Sequence, residues 1–185
     1  DGSPLEPMHQ WLKKELAKRG YGVIVPTMPN ASEPEINAWV SHIKKVVGTV
    51  NKETYFIGHS IGCQAVLRYI ETLDVHEKIG GVILIAPWMK LDENTIKEEG
   101  KEVERIAKPW MKTLIKWKKV KMYTDKFVCI FSDNDPYVPL SNKTVFEKEL
   151  NAKIIIEHNK GHFTESDHIE ENQTALNELV VLSKN

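Results

Sequence analysis

One stretch constrains what this chain can fold into more than any other. Thr54-Tyr55-Phe56-Ile57, a short β-favouring run, enters Gly58-His59-Ser60-Ile61-Gly62, and Cys63, Ala65, Val66, Leu67, Tyr69 and Ile70 follow in a helix-like stretch. The five central residues fit G-x-S-x-G, in which serine occupies a strained strand-to-helix turn, flanking glycines leave room for the bend, and the hydroxyl is pushed into the open. A five-residue pattern is weak by itself, so the rest of the chain must supply its partners.

The elements on either side alternate. Trp11, Leu12 and Leu16 among Lys13, Lys14, Glu15, Lys18 and Arg19 predict an amphipathic helix stopped at Gly20. Val23, Ile24 and Val25 read as a buried strand ending at Pro26, and a second helix is expected from about Glu33 to Val50. After the Ser60 turn and a helix to about Leu73, the run Val82-Ile83-Leu84-Ile85-Ala86 has no polar alternation, which implies a strand covered on both faces. Phe127 to Phe131 and Ile154 to Ile156 predict two more strands, and an amphipathic helix with Ile169, Leu176, Leu179, Val180 and Leu182 closes the chain. Between Trp88 and Thr124 lies a charged segment interrupted by tryptophans, read as a short helical insertion (about 88–124) near the strands' carboxyl ends. With 185 residues there is room for one good-sized core, so residues 1–185 are expected to form a single domain, a mainly parallel sheet with helices on both faces.

Composition excludes several function classes. Lys+Arg 25 against Asp+Glu 26 leaves no basic excess to attract nucleic acid, and the Lys116, Lys118, Lys119 and Lys121 cluster reads as a solvated face. No apolar run is long enough for a membrane span. The two cysteines, Cys63 and Cys129, have no metal or redox spacing and sit where small buried hydrophobes would serve, so a reducing cytoplasm is the expected home. His158, His162, Glu165 and His168 match no metal-site signature, and no cofactor motif is present.

The chemistry resides in three loops. A serine hydroxyl needs a base within hydrogen-bond reach and a third group to orient that base. Ser60, an acid after the Phe127 strand and a histidine after the Ile154 strand occur in the order Ser, Asp, His, each behind a different strand. Of Asp133 and Asp135 we favour Asp135, which precedes Pro136 and the Val138-Pro139 bend, with Asp133 a turn or supporting residue. Of the seven histidines we favour His162, behind Gly161; His158 and His168 read as surface or capping residues, His168 at the start of the last helix. His59 is too constrained by the turn to act as the base and is expected to line the substrate pocket together with Trp88, Trp110 and Val138. The backbone N–H of Ile61, directly after the serine, is the expected first oxyanion donor.

Gly58-His59-Ser60-Ile61-Gly62, Asn134-Asp135-Pro136-Tyr137-Val138-Pro139, Lys160-Gly161-His162-Phe163 and the opening from Arg19-Gly20-Tyr21 to Pro29-Asn30 resemble the small α/β-hydrolase family of retinoblastoma-binding protein nine and the YdeN-like serine hydrolases. The likeness runs over nearly the whole chain. It implies an α/β-hydrolase-like fold and a Ser60-Asp135-His162 triad. It also implies an additional apolar first strand, whose His-Gly-type loop supplies the second oxyanion amide; that strand would precede Asp1, and residues upstream are therefore expected. The second donor is expected there or near Asp1 and Gly2. Retinoblastoma binding is not implied, because no L-x-C-x-E stretch surrounds either cysteine.

Together these readings predict a cofactor-independent serine hydrolase that cleaves small acyl esters through an acyl-enzyme, with activity falling on acidification as His162 takes a proton. Two rivals share the fold: a catalytically silent protein-binding module, and an acyltransferase in which an alcohol or amine replaces water.

Overall fold

A computed structural model describes residues 2–184. Four strands, β1 (Tyr55–His59), β2 (Gly81–Ile85), β3 (Phe127–Ser132) and β4 (Lys153–Glu157), form a parallel sheet in the order β1-β2-β3-β4. The helices are α1 (Pro7–Ala17), α2 (Ile36–Val47), α3 (Ile61–Ile70), α4 (Glu93–Glu99), α5 (Lys101–Lys112), α6 (Trp117–Lys121), α7 (Lys143–Leu150) and α8 (Gln173–Lys184). Parallel neighbours joined by right-handed crossovers place the connecting helices on one face. α8 returns across β2 and β3, with α1 packed on it.

The sequence explains the depth of each strand. β2 and β3, the uninterrupted apolar runs, are buried at every residue, whereas β4 at the sheet edge is only partly buried and begins with the exposed Lys153. The strands pair in parallel, Ile83 opposite Val128 and Val128 opposite Lys153, so the loops after β1, β3 and β4 emerge at one end of the sheet. The expected insertion forms α4, α5 and α6.

Two expectations are corrected in the first third of the chain. Val23-Ile24-Val25 is not a strand: an extended run becomes one only where a neighbour accepts its ladder bonds, and none does so among the described residues. Ile24 is left 68% exposed. The second helix is shorter than expected, because its glutamates and Pro34 stay outside it and Gly48, at φ 67°, turns the chain out at the other end. Near the other terminus, α8 starts only at Gln173, and His168 caps a short 3-10 turn (Glu165–Asp167) in the left-handed region. No helix among the described residues is long and apolar enough to cross a membrane.

Candidate active site

Ser60 stands between β1 and α3 at φ 52° and ψ −123°, a left-handed conformation that non-glycine residues avoid. The strain is held from both sides. Ser60 N–H donates to Ile85 O (2.9 Å), and Ser60 O accepts from Cys63 N–H (3.0 Å). Gly58 is sterically required, since a Cβ there would lie 2.8 Å from Cys63 Cα, where strand and helix cross. Gly62 is not: a Cβ on it would meet nothing within 4 Å, so only one of the two glycines is demanded by contacts among the described residues.

Three strand-end loops converge on Ser60. His162 Nε2 lies 2.8 Å from Ser60 Oγ, and His162 Nδ1 lies 2.8 Å from Asp135 Oδ2. The tautomer follows from the partners. A carboxylate only accepts, so Nδ1 carries the proton and the bare Nε2 accepts from the serine hydroxyl. Asp135 is buried to 1% side-chain exposure, and its other oxygen accepts from Tyr137 N–H (2.8 Å) and Val138 N–H (3.0 Å). A carboxylate so desolvated and so bonded has little freedom to turn away from the imidazole. Tyr137 also stacks its ring edge-on against His162, with centroids 5.1 Å apart.

The loop that presents His162 is held largely by Thr164 and Asp167, which the sequence did not single out. Asp167 Oδ2 accepts from His162 N–H (2.9 Å), Thr164 N–H (3.0 Å) and Thr164 Oγ1 (2.6 Å). Burial alone would raise the Asp167 pKa, but the Thr164 and His162 hydrogen bonds outweigh it and the carboxyl titrates below its ordinary range. Gly161, at φ 52°, packs so close that a Cβ would lie 2.0 Å from Asp167 Oδ1. Asn134 Oδ1 accepts from Gly161 N–H (2.9 Å) and from Ser132 Oγ (2.8 Å), which itself accepts from Lys160 N–H (3.0 Å). The available signal was Thr164-x-x-Asp167, a capping-box spacing.

Of the expected pocket residues, Trp88 approaches the serine: its indole N–H points at Ser60 Oγ over 3.4 Å. Asn142 secures that loop, accepting from Met89 N–H (2.8 Å) and Lys90 N–H (3.1 Å). Val138 is buried behind Asp135, at 1% exposure. His59, beside Ser60, turns its Nε2 to the His162 carbonyl oxygen at 2.7 Å. Burial, then the nearby His162, lowers its pKa to about 3. Trp110 belongs to the core. It is fully buried, packs edge-on against Trp39 and donates to Pro34 O (2.9 Å), so an indole expected over the site instead joins α5 to the start of α2.

Arg68 completes that junction. Its Nη2 donates to Gln64 Oε1 (2.9 Å), Trp110 O (3.0 Å) and Thr113 O (2.7 Å), and Gln64 Nε2 donates to Trp88 O (3.0 Å). The insertion is thus tied through α3 to the loop that carries Trp88.

Asp133 and His158 form a surface pair (2.5 Å), and Asp133 Oδ1 accepts from Asn159 N–H (2.9 Å), which agrees with a turn role for this acid. Ile61 is the first residue of α3, where a helix N–H has no intrahelical acceptor. Of the positions considered for a second oxyanion donor, Asp1 lies outside the described residues, and Gly2 is exposed.

Chemically, the arrangement offers a half-buried serine hydroxyl, an imidazole to receive its proton and a buried carboxylate to hold that imidazole. The serine hydrolase family profile matches residues 4–179. YdeN of Bacillus subtilis, named as a hydrolase, is 27% identical over 164 residues, spanning 85% of this chain and 78% of that protein. The serine hydrolase RBBP9 of Rattus norvegicus is 25% identical over 162 residues, with the same 85% and 78% coverage. The crystal structure of the B. subtilis ydeN gene product superposes with a TM-score of 0.87, at 23% identity over 100% of this chain and 94% of that one. Est1E of Butyrivibrio proteoclasticus superposes at a TM-score of 0.70, with 16% identity over 100% and 85%, so the two share a fold. A profile that spans nearly the whole chain decides the question of kinship: this protein belongs to the serine hydrolase family.

Proposed function

We propose that the protein hydrolyses small acyl esters through an acyl-enzyme on Ser60, with His162 as general base and acid and Asp135 as its orienting carboxylate. Ser60 Oγ attacks the acyl carbon while His162 Nε2 takes the hydroxyl proton, and the ester carbonyl oxygen becomes an oxyanion near the Ile61 N–H. On collapse the C–O bond to the leaving alcohol breaks, and His162 returns the proton to that oxygen. Water then attacks the acyl carbon with His162 again taking the proton, the bond between the acyl carbon and Ser60 Oγ breaks, and His162 returns the proton to Oγ, leaving the carboxylic acid and the free serine hydroxyl.

The observation that carries this reading is the His162 ring, whose two nitrogens lie 2.8 Å from Ser60 Oγ and 2.8 Å from Asp135 Oδ2. Asp135 supports the imidazolium formed at each proton transfer, because a buried carboxylate beside a newly charged ring is worth most where water is excluded. Two free, buried cysteines suit a reducing compartment, and we place the enzyme in the cytoplasm on that ground.

The test is labelling by a fluorophosphonate probe, with the adduct located by peptide mass spectrometry and Ser60→Ala as control. An adduct on Ser60 that the control lacks, followed by turnover of short p-nitrophenyl esters, is the expected result. Absence of any adduct on a folded protein refutes the reading and favours a binding role. Product transfer to added alcohols or amines in place of water would mark an acyltransferase.

A further inference from the structure

The backbone around His162 is held on one side by three N–H groups: Lys160 on Ser132 Oγ, Gly161 on Asn134 Oδ1 and His162 on Asp167 Oδ2. All three restraints come from β3, the loop after it, or the His162 loop itself. The remaining group, the His162 carbonyl, faces His59 Nε2 at 2.7 Å, across 103 positions of sequence. His59 is the last residue of β1, registered opposite Ile85, and it immediately precedes Ser60. One side chain therefore joins the strand of the nucleophile to the main chain of the base.

We propose that His59 is a positioning residue for ester hydrolysis, its Nε2–H clamping the His162 carbonyl so that the His162 imidazole stays within reach of Ser60 Oγ. This inference rests on the hydrolase reading above. A carbonyl only accepts, so Nε2 must carry the proton, and one proton is all that His59 holds while neutral. Neutrality matters at this place. The two rings lie 5.2 Å apart, and a cation here would oppose the positive charge that His162 gains when it takes the serine proton. A lysine or arginine could donate to the same carbonyl but would raise the barrier to that transfer. His9, 6.1 Å from His59, and Asp167 are the other ionisable groups facing the ring.

The rival account is that His59 fills space. Three substitutions separate the two. His59→Gln carries an amide nitrogen at about the reach of imidazole Nε2, His59→Asn places its amide nitrogen near Nδ1 and falls short, and His59→Met fills volume without a donor. Each is measured for kcat and KM on a short p-nitrophenyl ester, with thermal melting to show that it folds. The expected result is a kcat about 10- to 100-fold lower in His59→Met and His59→Asn with KM within about threefold, and recovery to within about fivefold in His59→Gln, since small misplacement of a reacting group costs rates of that order. Equal losses in all three, or wild-type kcat in His59→Met, overturn the clamp. A wild type that labels on Ser60 while the variants stay unaffected refutes the clamp alone; a wild type inert to probe and esters refutes the hydrolase reading and the clamp with it.

Discussion

Acidification should weaken this fold through His59, and the size of the effect can be worked out. An unfolded histidine titrates near about 6.5. In the native protein burial, then the charge of His162 when protonated, with a smaller contribution from His9, lowers His59 to about 3, against the opposing pull of the His162 carbonyl and of Asp167. The folded value is depressed, so as pH falls below about 6.5 the unfolded chain takes up a proton that the native state refuses. Stability is lost through that window, down to about 3, at up to about 1.4 kcal/mol per pH unit. From about pH 7 to about pH 5 the integrated loss from this residue comes to about 2 kcal/mol, a large part of a total near 5–15 kcal/mol. Urea unfolding followed by tryptophan fluorescence, for wild type and His59→Gln at each pH, measures it by difference, because the other titrations are common to both proteins. The wild type should lose about 2 kcal/mol more than the variant over this interval. Parallel curves for the two proteins would refute the argument, since they would mean that His59 takes its proton as readily folded as unfolded.

Other perturbations follow from the site. Asp135→Asn should lower kcat about 10³- to 10⁴-fold with little change in KM, because an amide leaves His162 in the wrong tautomer; steady-state ester kinetics checks this. Gly161→Ala should cost about 1–2 kcal/mol in backbone conformation, and its Cβ should push Asp167 away from His162 N–H, so that melting temperature and kcat fall together. Arg68→Met should destabilise by about 2 kcal/mol or more, measured by urea titration, because the Trp110 and Thr113 carbonyls and Gln64 Oε1 lose their donor.

The parts of the fold that were legible were those decided locally. β2 and β3 announce themselves as unbroken apolar runs, and the turn at Ser60 needs only its own neighbours to be recognised. Val23-Ile24-Val25 has equal β propensity, but pairing is a property of two segments and cannot be read from one. The same limit applied to the tryptophans. Trp88 and Trp110 fall in one charged insertion, yet one points at Ser60 and the other is sealed in the core by Trp39 and Pro34 O, a difference set by where α5 packs. Ser60, Asp135 and His162 could be singled out because each follows a recognisable strand, whereas Asp167 ends a short 3-10 turn and its bonds to Thr164 and His162 exist only once that turn has closed.

The edge position of β4 has a consequence for how this protein would lose its activity. His162 hangs from β4, the less buried of the two edge strands, while Ser60 follows the other edge, β1, and Asp135 follows the fully buried β3. Edge strands open by local fluctuations that leave the interior intact. Under mild denaturant the chemistry would therefore fail while tryptophan fluorescence and most helical signal still report a native protein. On refolding, catalysis would be the last property to return, since it requires all four strands and a closure across 102 residues from Ser60 to His162.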